Sequence, residues 1–144
     1  MKAVILVGGE ATRLRPLTPE IPKAMVPILN TRFLEYVFDY LMGYGIHEVV
    51  ITQSQFAQPI FDYFGDGARF GLTLHYAIEE TQLGTAGAIK NTASYLDDTF
   101  IGLNGDILTD LDLGAMIDFH RRHGAQATIA LAPVADPSHY GLVE

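Results

Sequence analysis

Arg13, Arg15 and Lys23 place three of the chain's nine Lys and Arg residues in one short stretch, directly after the glycine pair Gly8-Gly9. Glycines that follow a strand let backbone N–H groups approach an anion and form a concave site for it. Arginine suits two-point contact with a phosphate, and lysine acts as a compact point charge. Pro16, Pro19, Pro22 and Pro27 run through the same segment. Each removes a backbone donor and disfavours helix at the residue before it. The combination predicts a long, ordered, irregular loop over residues 10–30, with a phosphate-handling stretch at 8–23. Two familiar phosphate motifs, G-x-G-x-x-G and G-x-x-x-x-G-K-[ST], are absent, which argues against a standard dehydrogenase or P-loop NTPase.

Carboxylates form the second group. Asp106 follows the apolar run Phe100–Leu103 and Asn104-Gly105. A carboxylate there is a candidate metal ligand. Asp110-Leu111-Asp112 is a rival pair, but Asp112 reads better as a helix cap. Glu79 and Glu80 come after another apolar run, just before Leu83-Gly84-Thr85. A carboxylate only accepts hydrogen bonds. His120 and His123 are three apart on an expected helix with no third metal ligand evident, so they read as ordinary surface or half-buried histidines. His47, His75 and His139 carry no readable role.

These groups must be positioned by regular elements. Residues 3–7, 49–52, 72–78, 100–103 and 127–131 read as strands, with 140–143 as the start of another. Residues 31–42, 56–64, 85–95 and 113–123 read as helices, from apolar spacing and from glycine stops such as Gly43, Gly65 and Gly124. Strand and helix alternate at short spacing. This predicts an α/β, three-layer sandwich with a mostly parallel, Rossmann-like sheet and right-handed crossovers. Ligands of such sheets bind beyond the carboxyl ends of the strands, so Gly8-Gly9, Glu79-Glu80 and Asp106 are expected along one edge.

Bulk properties narrow the function classes. The chain has 144 residues, 49% hydrophobic, which suits one folded domain. A net charge of −8 argues against a nucleic-acid-binding surface, yet leaves room for a local positive site. The absence of cysteine removes disulfides, thiolate metal sites and cysteine nucleophiles. No apolar run approaches a membrane span, and the five apolar residues after Met1-Lys2 are too few for a signal-peptide core. A cytoplasmic protein with no membrane partner is the expectation.

The ordered motifs carry a resemblance. The run Gly8-Gly9-Glu10-Ala11-Thr12-Arg13-Leu14-Arg15-Pro16-Leu17-Thr18, then Pro22-Lys23, resembles the signature of the sugar-1-phosphate nucleotidyltransferases (nucleotide-sugar pyrophosphorylases). The likeness continues through Leu83-Gly84-Thr85-Ala86-Gly87-Ala88, Leu103-Asn104-Gly105-Asp106, Phe119–Ala125 and Pro137–Gly141. It implies the nucleotide-diphospho-sugar transferase fold. It also implies transfer of NMP from an NTP to a sugar 1-phosphate, by in-line attack on the α-phosphorus. The sugar phosphate is already ionised near neutral pH, so the reaction needs positioning and charge neutralisation rather than a general base. By the same resemblance, Arg13 would stabilise the departing pyrophosphate and Lys23 would bridge the two phosphates. Asp106 would hold Mg²⁺. Val7, Gly8 and Gly9 would line the nucleotide, and Glu79, Gly84 and Thr85 would read the base.

Glutamate before Leu-Gly-Thr-Ala-Gly resembles the mannose-1-phosphate guanylyltransferase branch most, so GTP with mannose 1-phosphate is the expected substrate pair. The alternatives are dTTP or UTP with glucose 1-phosphate, or a non-catalytic module that binds a nucleotide sugar. Two departures stand out: Ala11 where the family usually has glycine, and Ala24 where it usually has proline. Family members continue well past Tyr140-Gly141, so residues 1–144 are expected to be the N-terminal, nucleotide-binding part of the catalytic domain. Family members often assemble as homo-oligomers, and these residues do not set a state.

Overall fold

The computed structural model of the chain describes residues 1–7, 21–54, 58–136, 138 and 141. Its centre is a four-stranded parallel sheet in the order β5-β4-β1-β6. The strands are β1 (Lys2–Val7), β4 (Glu48–Ser54), β5 (Thr73–Glu79) and β6 (Phe100–Asn104). A separate two-stranded antiparallel ribbon joins β2 (Pro27–Ile28) to β3 (Thr31–Arg32). The helices are α1 (Phe33–Gly43), α2 (Gln58–Phe64), α3 (Gly84–Asn91) and α4 (Leu113–His123).

Why β1 and β4 occupy the middle follows from their composition. Ala3, Val4 and Ile5 of β1 and Val49, Val50 and Ile51 of β4 are all 0% exposed. Consecutive side chains of a strand point to opposite faces. Both faces of these strands are therefore covered, as a three-layer arrangement requires. On one face Val4, Val50 and Ala77 form a cluster with Leu6, Tyr95, Leu96 and Phe100, and α3 packs across β1, β4 and β5. Elsewhere α1 buries Leu34, Val37, Phe38 and Leu41. Phe38 meets Phe64 of α2 edge to face at 5.1 Å.

The amino ends of the strands are tied by charge. The Lys2 ammonium donates to Tyr95 O (2.8 Å) and sits 3.1 Å from Glu48 Oε1, which also lies 3.2 Å from His75 Nε2. The hydrogen bond from Lys2 holds the Glu48 carboxyl below its ordinary range, and the same bond raises Lys2. Burial pushes the Tyr76 phenol up to about 12, and its hydroxyl donates to Gly65 O at 2.7 Å.

Several expectations shift. The helix expected from residue 31 begins at Phe33, because Thr31-Arg32 pairs with Pro27-Ile28 instead. The two-residue turn between them, Leu29-Asn30, has φ of 50° and 68°, the positive values a tight hairpin needs. The helix expected over 85–95 is α3 followed by a separate short turn at Ala93–Tyr95. Thr92 divides them by bonding its hydroxyl back to Ile89 O (2.7 Å), a local competitor to helix continuation.

Residues Asp110–Glu144 form a unit distinct from Met1–Thr109. Within it, α4 starts where Asp112 accepts from Ala115 N at 3.0 Å and stops at Gly124, left-handed at φ 55°. The strand expected over 127–131 does not form. A strand exists by its ladder, and this segment has none among the described residues, with Ile129 and Leu131 exposed. The expected strand at 140–143 and the start of the helix expected over 56–64 fall on residues outside those described.

Candidate functional site

Strand order defines the place to look. The chain runs outward from β1 through β4 to β5, then returns to set β6 on the other side of β1. The crevice at the carboxyl ends, where the order reverses, is where open α/β sheets bind ligands. A cavity of about 420 Å³ lies there, lined among others by Val7, Lys23, Thr52, Glu79, Thr85 and Asp106. That volume is within the range of small-molecule sites.

Lys23 is delivered by a short turn rather than by a long helix. Met25 N donates to Pro22 O at 2.8 Å, and Ala24 and Met25 are buried. Arg32 donates to Met25 O at 3.1 Å and Phe33 N to Val26 O at 3.0 Å. The turn is thus pinned from within the core and from the start of α1, and its lysine is left half-exposed. Lys23 Nζ reaches Asp106 Oδ2 at 2.5 Å across 83 residues of sequence.

Asp106 depends on the glycine before it. Gly105 N donates to Leu6 O at 2.9 Å. A Cβ at Gly105 would lie 2.8 Å from Val7 Cγ2 and 3.2 Å from Leu6 O. The backbone must pass that close to β1 for Asp106 to enter the crevice, and only glycine permits it. Asn104-Gly105-Asp106 is therefore more than a polar turn after a strand.

On the opposite wall, Glu79 ends β5. Leu83 N donates to Glu79 Oε2 at 3.2 Å, which curls residues 79–83 back on themselves and orients the carboxylate. That contact uses one of roughly four acceptor positions on a carboxylate. Gly84 follows with φ 68°, the left-handed conformation that favours glycine, and α3 opens there. No side chain among the described residues caps α3, so its first N–H groups are open to an acceptor from a ligand. Gly84 and Thr85 line the cavity.

The structure brings Val7, Lys23, Glu79, Gly84, Thr85 and Asp106 into one cavity. Gly8, Gly9, Ala11, Arg13 and Arg15 lie outside the described residues. Glu80 is exposed and is not among the residues lining the cavity. Asp112 caps α4, as its sequence context suggests. His120 pairs with Thr128 Oγ1 (3.0 Å) and His123 with Phe119 O (2.8 Å). No group of three or more metal-ligating side chains occurs among the described residues. A single carboxylate such as Asp106, beside a cavity sized for a phosphorylated ligand, fits Mg²⁺, whose remaining positions are usually filled by phosphate and water.

Sequence reasoning passed over Thr52, Gln82 and Asn104, which also line the cavity. Thr52 is 0% exposed and its hydroxyl has no hydrogen-bond partner among the described residues. A buried hydroxyl in that condition costs about 1–3 kcal/mol. The signal was available: Thr52 interrupts the apolar run Val49-Val50-Ile51 at the carboxyl end of a central strand.

The fold and this crevice define an α/β protein with a cavity of small-molecule size at a strand-order switch. A family model of nucleotidyl transferases matches residues 2–144, and the chain belongs to that family. It is 43% identical over 143 residues to a mannose-1-phosphate guanylyltransferase from Mycobacterium tuberculosis, covering 98% of this chain and 40% of the relative. It is 40% identical over 157 residues to a UTP–glucose-1-phosphate uridylyltransferase from Synechocystis, covering 99% and 40%. Among solved structures, HddC from Yersinia pseudotuberculosis complexed with GMP-PN superposes with a TM-score of 0.74 at 35% identity, over 83% of this chain and 53% of that one. The chain thus spans two fifths of the length of these curated relatives. Relatives of nearly equal identity are named for different bases, so similarity by itself does not choose the base.

Proposed function

We propose that the protein transfers GMP from GTP to a sugar 1-phosphate, with mannose 1-phosphate as the acceptor. The observation that carries the base assignment is Glu79. It lines the cavity, its carboxylate is oriented by Leu83 N–H, and Oε1 has no hydrogen bond among the described residues. Guanine's adjacent N–H and NH₂ satisfy such a group with two charge-assisted hydrogen bonds, whereas uracil and thymine offer one. The assignment of mannose rests on the mycobacterial relative.

In the proposed reaction an oxygen of the sugar phosphate forms a bond to the α-phosphorus of GTP. The bond from that phosphorus to the β-bridging oxygen breaks, and pyrophosphate leaves with the electron pair. No proton need be removed from the nucleophile. Lys23 supplies positive charge at the shared cavity wall, where the α-phosphate and sugar phosphate would otherwise repel. Arg13 and the Gly8-Gly9 backbone are proposed to hold the departing pyrophosphate and the nucleotide. Asp106 would hold Mg²⁺, which when bound supplies Lewis-acid neutralisation of phosphate charge. Gly84, Thr85 and the open end of α3 would face the nucleoside, with Val7 beneath it.

Pyrophosphate release measured over a matrix of GTP, UTP, dTTP, ATP and CTP against mannose 1-phosphate and glucose 1-phosphate tests this reading. GTP with mannose 1-phosphate is expected to give the highest kcat/KM. Faster turnover with UTP or dTTP would overturn the base assignment. A protein that binds GDP-sugar yet is inert with every pair would be a binding module instead.

A further inference from the structure

β4 is enclosed between β1 and β5, and Val49, Val50 and Ile51 fill it with apolar side chains. Thr52 is just as buried, but its hydroxyl finds no acceptor and no donor among the described residues. Valine has nearly the same shape and would remove that penalty. The polar atom therefore sits where folding alone gives no reason for it, and it sits at the point where β4 reaches the cavity. Thr52 is among the residues that line the cavity, as are Leu6 and Ala88. Gln53 also has an unpaired buried oxygen, but strand alternation turns it to the other face and it is not among the lining residues.

Strand register sets the depth. Thr52 pairs with Ala77 and Ser54 with Glu79. Thr52 is thus one pleat, roughly 7 Å, further from the carboxyl edge than the level of Glu79. α3 packs against β4 and contributes Ala88 as its buried residue, the smallest side chain a helix can place there short of glycine. Thr52 and Glu79 lie two residues apart in register on the same face of adjacent strands and both line the cavity, so one flat ring can meet both.

We infer that Thr52 is a specificity-determining residue for the nucleobase, its hydroxyl donating to an exocyclic oxygen of the ring, which for guanine is O6. This deepens the function proposed above and rests on it. Thr52 is fully covered in this structure, so the base reaches its hydroxyl by displacing a neighbouring side chain and then supplies the acceptor that the described residues withhold. Glu79 and Thr52 then read opposite kinds of group on one base, the carboxylate accepting from N–H and the hydroxyl donating to C=O. A base that presents an amine in place of that oxygen would leave the hydroxyl unpaired as a donor.

The test measures equilibrium binding of GTP and 6-thio-GTP by calorimetry to the wild-type protein, Thr52→Val and Thr52→Ser, with thermal melts of the nucleotide-free forms. The sulfur of the analogue accepts hydrogen bonds poorly, while the N–H edge facing Glu79 is kept. Wild type is expected to bind 6-thio-GTP about tenfold more weakly than GTP, a difference of about 1.4 kcal/mol. Thr52→Val is expected to melt higher than wild type, to lose about tenfold in GTP affinity and to bind both nucleotides alike. Thr52→Ser should retain the preference for GTP. Equal binding of the two nucleotides by wild type overturns the inference without reference to any variant. So does a Thr52→Val protein that melts higher and binds GTP unchanged. If UTP rather than GTP binds, the base assignment falls and 4-thio-UTP replaces the analogue in the same comparison. Wild-type protein that binds no nucleoside triphosphate removes both the inference and the function beneath it.

Discussion

Replacing Lys23 with methionine keeps the aliphatic stem and removes the charge. The pair it breaks is short, 2.5 Å to Asp106, but the side chains are 44% and 40% exposed. Pairs of that exposure contribute under about 1 kcal/mol, because water screens them and two flexible chains must be fixed. The turn carrying Lys23 is held instead by the Met25 N–Pro22 O bond and by buried Ala24 and Met25, none of which the substitution touches. Stability should therefore fall by less than about 1 kcal/mol, a shift of only a few degrees in Tm for a chain of this size. Two larger effects are expected. Asp106 loses its counter-charge, so Mn²⁺ should bind the nucleotide-free variant several-fold more tightly than wild type, read by electron paramagnetic resonance. Charge neutralisation in the reaction is lost, and removing one such group from an active site typically lowers kcat by about 10²–10³. Turnover within about twofold of wild type, or Mn²⁺ affinity that falls with the substitution, would refute the pairing of Lys23 with Asp106 as the site's central contact.

Gly105→Ala should destabilise the fold by about 1–3 kcal/mol, since its Cβ meets Val7 and the Leu6 carbonyl; urea unfolding together with turnover should show both falling as Asp106 is displaced. Leu29→Asn should raise stability by up to about 1 kcal/mol, measured by thermal melting, because leucine is held at φ 50° in a hairpin turn where asparagine is more at ease. Glu48 ionises more readily in the folded chain than its ordinary 4.5, owing first to its hydrogen bond from Lys2. Its contribution is therefore present above that value and is lost as pH falls through the lowered one. Tm should decline on acidification below about 4.5 in wild type, and the decline should be shallower in Glu48→Gln. The raised Lys2 acts in the opposite direction, its contribution being lost only as pH rises beyond its ordinary 10.5.

How far the residues alone carried this picture depended on the distance over which each feature is determined. β1, β4, β5 and β6 were legible because runs such as Val49-Val50-Ile51 can hardly lie anywhere but inside a covered sheet. The Asp112 cap and the Gly124 stop were legible because both are local to one helix end. The ribbon at Pro27–Arg32 was not, since Leu29 is an unlikely turn residue by propensity and its positive φ is imposed by the strands on either side. The expected strand at 127–131 failed for the converse reason: its alternating apolar residues need a partner to pair with. In the site, Glu79 and Asp106 could be chosen because they are polar residues immediately after apolar runs. Their meeting in one crevice followed from parallel strand geometry. That Lys23 touches Asp106 across 83 residues could not be read without the fold. Thr52 was overlooked because threonine is at home in strands, and its unpaired hydroxyl becomes visible only once its neighbours are placed.

The claim on which the rest depends is that Glu79 reads the N–H edge of guanine. The direct measurement is the ratio of GTP to ITP affinity, by calorimetry, in wild type and in Glu79→Ala. Inosine keeps guanine's oxygen and ring N–H but lacks the 2-amine. A hydrogen bond from that amine to a carboxylate is worth about 1.5–3 kcal/mol. Wild type should therefore favour GTP by at least about tenfold, and the ratio should collapse toward one in Glu79→Ala. An equal preference for GTP in both proteins, or none in wild type, would contradict the assignment.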